Sequence, residues 1–96
     1  NCSTGIDDLI EVCRIMRSRS CLPLWMKPNA GLPELVEGRT VYRESPEDMA
    51  ARIPELLTAG ATIVGGCCGT TPDHIRRIRE AVDAFVRERE AAGQTA

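Results

Sequence analysis

The chain has 96 residues, with 12 basic and 14 acidic side chains and a formal charge of −2, and it contains one residue each of Trp, Tyr and Phe. It therefore has neither the basic surface nor the aromatic platforms that nucleic-acid binding requires. No apolar run reaches membrane-spanning length and no signal segment opens the chain, so we exclude a membrane protein and expect a cytoplasmic one. The five cysteines are odd in number and spread between apolar helix positions and glycine turns, which favours metal or thiol chemistry in a reducing compartment over a secreted disulfide framework.

The first predicted element is a helix with acidic residues in its first turn and arginines in its last. Its apolar residues recur at spacings of three and four, and they are Ile6, Leu9, Ile10, Cys13 and Met16. Because Cys13 lies within this stripe, we predict that it belongs to the core. Cys21, in the loop that follows, receives no role.

A short apolar run, Leu22–Met26, predicts a buried strand that ends in the turn Lys27-Pro28-Asn29-Ala30-Gly31. The next segment, 32–44, lacks a steady period and is predicted to be an ordered loop with at most a brief extended piece. Long loops of this kind often carry function.

The second helix has a strong start, because Ser45 is a favourable cap, Pro46 suits the first turn and Asp48 can complete a capping box. Its predicted buried face consists of Met49, Ile53, Leu56 and Leu57. Pro54 removes a helical hydrogen bond and is predicted to kink the helix.

A second strand, 61–66, leads into Cys67 and Cys68, and a helix follows from Pro72 with a predicted stripe of Ile75, Ile78, Val82 and Phe85. Successive side chains on a strand point to opposite faces, so both sulfurs reach one ion only if the backbone breaks, which the flanking Gly65, Gly66 and Gly69 allow. The alternative is a buried pair of small apolar residues at a tight turn. We predict His74, the single histidine, as a surface or packing residue, and residues 91–96 as a frayed tail.

The alternation of helices and strands predicts an α/β fold with parallel strands and helices outside. Two full strands and three helices cannot cover both faces of a parallel sheet. We therefore expect residues 1–96 to be a piece of a larger α/β domain.

Three motifs, in this order, resemble those of the homocysteine S-methyltransferases: Asn1-Cys2, Lys27-Pro28-Asn29-Ala30-Gly31-Leu32-Pro33 and Gly65-Gly66-Cys67-Cys68-Gly69. The middle motif resembles the homocysteine-binding domain of the cobalamin-dependent methionine synthase branch. The resemblance covers nearly the whole chain. It implies a partial homocysteine-binding domain, the C-terminal fragment of a TIM-type βα barrel: about the last quarter, with the end of the sixth strand, the seventh and eighth strands and their helices.

The resemblance also implies the chemistry. Cys2, Cys67 and Cys68 would bind Zn²⁺ as catalytic ligands, and the open fourth position would take the homocysteine thiol as a thiolate that accepts a methyl group to give methionine. Cobalamin and methyltetrahydrofolate would lie on other domains of the parent protein. Asn29 would help to hold the amino acid portion of the substrate, unless it only stabilises its own turn. The partners are then homocysteine, the cobalamin-binding methyl-donor domain and the remainder of the barrel, without which the isolated chain is expected to be inactive.

Two other functions remain open from the residues alone. One is a non-catalytic metal or cluster module with Cys2, Cys67, Cys68 and either Cys13 or Cys21 as ligands, although the paired C-x-x-C spacing of zinc ribbons is absent. The other is a thiol-redox protein in which Cys67 and Cys68 form a disulfide.

Overall fold

The computed structural model describes residues 5–91, which form three helices and four short strands. In chain order these are α1 (Ile6–Arg19), β1 (Trp25–Met26), β2 (Glu34–Val36), β3 (Arg39–Val41), α2 (Pro46–Ala59), β4 (Ile63–Val64) and α3 (Pro72–Ala91). The predicted α/β character is confirmed. Of the predicted tail, Ala91 is still helical, and 92–96 lie outside the described residues.

Two strands far apart in the sequence pair in parallel, with Trp25 opposite Ile63 and Met26 opposite Val64. Gly5 adds a parallel bridge to Asn29, so the chain entering α1 runs beside the end of β1. The carboxyl ends of β1 and β4 therefore meet at one edge of the sheet, next to Gly5. Both strands are shorter than predicted.

The prediction that the first strand is buried is wrong for one of its faces. Met26 is fully buried, but Trp25 is 57% exposed and Ile63, opposite it, is 50% exposed. Neighbouring side chains of a strand point to opposite faces, and the helices cover only the face that carries Met26.

Segment 32–44 contains an antiparallel hairpin of β2 and β3, where the sequence predicted a loop with a brief extended piece. Its two central residues, Glu37 and Gly38, have φ values of +49° and +79°. Positive φ at both positions is the geometry of a tight hairpin turn whose twist matches that of the strands. Gly38 adopts this conformation freely, whereas the backbone of Glu37 is strained because its side chain disfavours positive φ.

Helix α2 packs between α1 and α3, and α1 and α2 together carry most of the core. Its predicted capping box is confirmed, because the Ser45 hydroxyl accepts a hydrogen bond from the Asp48 amide (3.1 Å) and the Asp48 carboxylate accepts one from the Ser45 amide (3.2 Å). The helix continues through Pro54, which lies on its exposed side. The largest fully buried side chains come from α1, β1, the turn after β1 and α2: Ile6, Leu9, Cys13, Met26, Pro28, Met49, Ile53 and Leu56.

The stripe predicted for α3 is confirmed at Ile78, which is buried, and at Val82, which is partly buried against the core. It is wrong at Ile75, which is 46% exposed, while the neighbouring His74 is buried. Across residues 5–91, no helix is both long and apolar enough to cross a membrane.

One arginine joins the amino-terminal ends of the two parallel strands. The Arg17 guanidinium donates hydrogen bonds to the carbonyls of Ser20 (3.3 Å) and Leu22 (2.9 Å) before β1, and to that of Gly60 (3.1 Å) before β4. Gly60 has φ +124°, and a Cβ there would lie 2.7 Å from Cγ of Arg17, so only glycine fits beneath this side chain.

Candidate functional site

The candidate site is the turn that carries Cys67 and Cys68 between β4 and α3. The parallel hydrogen-bond ladder continues past the strands into this turn, because the Cys67 amide donates to the Pro28 carbonyl (3.0 Å) and the Ala30 amide donates to the Cys68 carbonyl (2.9 Å). The cysteines therefore lie at the carboxyl end of the sheet, where parallel α/β folds bind ligands.

The side chain of Asn29 contacts this turn. Its Oδ1 accepts a hydrogen bond from the Cys68 amide at 3.1 Å, and the residue is only 4% exposed. The structure thus places Asn29 beside the two cysteines, with its side-chain oxygen directed at the protein backbone.

The backbone after Cys68 turns sharply and is closed by its own hydrogen bonds. The Cys67 carbonyl accepts from the Thr70 amide (3.1 Å) and from the Thr70 hydroxyl (2.6 Å). The three glycines that were predicted to allow a break in the backbone differ in their geometry. Gly69 alone of the three has positive φ (+80°), whereas at Gly66 a Cβ would lie 2.6 Å from the Thr70 side chain and at Gly65 a Cβ would make only an ordinary contact.

Tyr42 covers the turn from the position directly after β3. A Cβ placed on Gly69 would lie 2.5 Å from Cβ of Tyr42 and closer still to its Cγ. No local pattern in the sequence pairs these two residues, which are distant along the chain, so sequence reasoning missed this contact.

His74 anchors the end of the same turn and is buried at 6% exposure. The Thr71 amide donates to Nδ1 (3.1 Å), so the ring proton sits on Nε2 and is donated to the Glu44 carbonyl (2.7 Å). With both nitrogens engaged, His74 is a packing residue, as predicted, and not a metal ligand.

The Glu44 side chain packs against Gly31, next to the strand ends, with Cγ 3.3 Å from where a Cβ of Gly31 would lie. Burial raises the pKa of this carboxyl above its ordinary value, and the neighbouring Asp7 and Asp48 raise it further, against the opposing effect of Arg52. One carboxylate oxygen, Oε2, is buried without a hydrogen bond.

The other cysteines do not join the candidate site. Cys13 is fully buried in the core, as predicted, and burial raises the pKa of its thiol. Cys21 is exposed and precedes β1, so it lies toward the opposite end of the sheet from Cys67 and Cys68. These positions argue against the non-catalytic metal or cluster module in which Cys13 or Cys21 is the fourth ligand. Cys68 is a free thiol, so the Cys67–Cys68 disulfide of the redox hypothesis is not formed.

The turn fits a zinc site in its donors and place. It presents two adjacent sulfur ligands at a strand end, and Cys68 is exposed. The third predicted ligand, Cys2, lies outside the described residues, and among residues 5–91 no three His, Cys, Asp or Glu side chains are grouped so that they could hold a metal. Of the three predicted ligands, Cys67 and Cys68 lie within the described residues.

Comparison with known proteins gives consistent matches. The model of the family described as homocysteine S-methyltransferase matches residues 1–82. The methionine synthase of Mycobacterium leprae (strain TN) is 40% identical over 83 residues, which are 85% of this chain and 7% of that protein. The methionine synthase of Mycobacterium tuberculosis (strain ATCC 25618 / H37Rv) is 39% identical over 83 residues, with the same two shares. The chain thus spans 7% of the length of these relatives.

Proposed function

The chain belongs to the homocysteine S-methyltransferase family, and from this we propose that it forms part of a zinc-dependent enzyme that transfers a methyl group to homocysteine and releases methionine. The observation that carries the proposal is the turn at the carboxyl end of β4, where two adjacent cysteines are hydrogen-bonded to the end of β1. The methionine synthases that are 39–40% identical to it over 83 residues support methionine as the product.

In this proposal Cys67 and Cys68 hold zinc through their sulfur atoms, and Cys2 is the third ligand. Three protein ligands leave the fourth tetrahedral position open to substrate, as in catalytic rather than structural zinc sites. Bound zinc favours the thiolate form of a coordinated thiol, which is the nucleophilic form. The task of this chain is then to hold the ligands at the sheet edge in one arrangement. The hydrogen bonds that Pro28 and Asn29 accept from the cysteine amides, and that Ala30 donates to the Cys68 carbonyl, are suited to this task.

We further propose that residues 1–96 are the last quarter of a TIM-type barrel. Two features support this: the parallel pairing of Gly5, β1 and β4, and the exposure of Trp25 and Ile63 on the face that the three helices leave open. The remainder of the barrel would cover that face. Cobalamin and methyltetrahydrofolate would belong to other domains, and the 96 residues alone would be inactive.

Metal analysis of the protein at its full natural length tests the proposal. We expect about one zinc ion per protein and no visible chromophore. Both the zinc and the methyl transfer to homocysteine should be lost in the single variants C67S and C68S. C21S is the matched control, because it removes an exposed cysteine from the opposite end of the sheet and should change neither.

Other results would replace the proposal with one of the alternatives. Bound iron with a brown colour would indicate a cluster module. A protein that binds no zinc when it is supplied, or whose methyl transfer survives both cysteine substitutions, would contradict the zinc mechanism.

A further inference from the structure

Among residues 5–91, the parallel sheet and the ladder that continues it carry one basic side chain, Lys27. We propose that Lys27 is a specificity-determining residue that binds the carboxylate of the substrate amino acid. This inference rests on the proposed function, and it assigns a binding group within this chain to the end of the substrate that is remote from the zinc.

Lys27 follows β1 directly and shares a face of the sheet with Trp25. Neighbouring residues of a strand alternate between faces, and Met26, which lies between the two, is fully buried under the helices. Trp25 is exposed, and the Lys27 ammonium lies 5.2 Å from the centroid of its ring. The ammonium is therefore on the open face of the sheet, where the interior of the proposed barrel would lie.

A glycine on the neighbouring strand segment lets the Trp25 ring lie across the sheet. The register of β1 and β4, continued by one residue, sets Gly65 opposite Lys27, and a Cβ at Gly65 would lie 3.8 Å from Nε1 of Trp25. The indole thus reaches the level of Lys27 and forms the surface on which the ammonium rests. Cation–π attraction holds the ammonium there, and the ring excludes water from one side of it, which strengthens its pairing with an anion.

The cysteine turn lies one step farther along the same face. Cys67 follows Gly65 by two residues, a distance of about 6.6 Å along a strand. The chain is still in the ladder at that point, because the Cys67 amide donates to the Pro28 carbonyl at 3.0 Å. A short aliphatic chain joins the sulfur of homocysteine to its carboxylate. A substrate that is held by its sulfur at the cysteine turn therefore brings its carboxylate within reach of Lys27.

The other basic residues lie on other elements. Lys27 is the single lysine among the 12 basic residues of the chain. Within residues 5–91, the arginines belong to the three helices, to β3 or to the segment that follows it. Arg43, in that segment, is paired with Glu34, and Arg17 is bonded to backbone carbonyls at the amino-terminal ends of the strands. In the described part of the chain, Lys27 is thus the cation on the face where the substrate would bind.

Calorimetric titration of the zinc-loaded protein at its full natural length tests this role with two thiols, homocysteine and 3-mercaptopropylamine, which differ only in the carboxylate. K27M should bind homocysteine about 10–100-fold more weakly than wild type, the usual effect of losing a hydrogen bond to a charged group. It should bind 3-mercaptopropylamine as wild type does. K27R, which keeps a cation at this position, should recover part of the affinity for homocysteine.

The variants are chosen so that a general loss of structure or of charge is recognised. K27M keeps an unbranched side chain over the Trp25 ring. R19M is the matched control, because it removes one exposed positive charge at the end of α1, before β1, and it should change neither affinity. Equal weakening of both thiols in K27M would mean that Lys27 acts on the zinc-bound sulfur and not on the carboxylate. That result, or unchanged affinity of K27M for homocysteine, would overturn the proposal.

A second titration without metal separates the failure of this inference from that of the proposed function. If the wild-type protein binds no zinc, the proposed function fails. The zinc-free protein is then titrated with norleucine and pentylamine, which lack sulfur and again differ only in the carboxylate. Because the contact with Lys27 needs no metal, wild type should prefer norleucine and K27M should bind the two equally. Equal binding of both ligands by wild type, or the same preference in K27M, would refute the carboxylate site.

Discussion

Replacing Gly69 by alanine tests the packing of the candidate site most directly. The substitution has two costs, which the structure separates. A φ of +80° disfavours any residue with a Cβ by about 1–2 kcal/mol. In addition, the new methyl group would lie 2.5 Å from Cβ of Tyr42 and closer still to Cγ. Rotating the tyrosine about χ1 moves Cγ but leaves Cβ in place, so the backbone must shift as well, and overpacking of this kind costs about 1–3 kcal/mol.

The hairpin turn supplies a matched control for the first cost. Gly38 has nearly the same φ, +79°, but nothing lies within 4 Å of a Cβ placed there. G38A should therefore lose only the conformational part, about 1–2 kcal/mol. G69A should lose the sum of both parts, about 2–5 kcal/mol.

Urea unfolding of the 96-residue chain, followed by circular dichroism, measures both variants. The same substitution in a Y42G background should cost no more than G38A, because glycine at position 42 removes both crowding atoms. Y42A should relieve less, since it keeps the Cβ. Equal costs for G69A and G38A, or a cost of G69A that is unchanged by Y42G, would refute the packing of Tyr42 over the turn.

Three further predictions concern single side chains. Burial and the nearby acids raise the pKa of Glu44 in the folded protein. The protonated carboxyl therefore contributes its full share of the unfolding free energy below pH 4.5, and this contribution is lost as the pH rises through the raised pKa. E44Q should therefore unfold at higher urea than wild type at pH 7.5, with an advantage that vanishes on acidification; a less stable E44Q at pH 7.5 would contradict this. C13S should lose about 1–3 kcal/mol of unfolding free energy, because it buries a hydroxyl group without a hydrogen-bond partner. The loss should be larger than that of C13A, which adds no polar group. In zinc-free protein a thiol reagent should modify exposed Cys68 well before buried Cys13, and equal rates would contradict the assigned burial.

Features that depend on neighbours in the sequence were predictable. The capping box at Ser45 and the apolar stripe of α1 are local patterns; the box appears as expected, and so does the stripe except at Met16, which is exposed. The core position of Cys13 follows from that stripe. The family resemblance, carried by three short motifs, is confirmed by the family match over residues 1–82.

Features that depend on contacts between distant segments were not predictable. The hairpin was missed because its turn places Glu37, a residue with no preference for positive φ, beside a single glycine. At the start of α3, His74 is buried where the sequence predicted Ile75, because His74 bonds the Glu44 carbonyl 30 positions away. The contacts of Asn29 with Cys68 and of Tyr42 with Gly69 also join distant segments. The cysteine turn itself was therefore predictable from the sequence, but the residues that pack against it were not.

The arginine that joins Ser20, Leu22 and Gly60 has a consequence for engineering this protein. It fastens the two strands at their amino-terminal ends, whereas the cysteine turn occupies their carboxyl ends. The residues that secure the sheet and those that would do chemistry are therefore at separate places. Stabilising substitutions around Arg17 can be screened by thermal tolerance alone, without the loss of activity that usually accompanies rigidifying a catalytic loop.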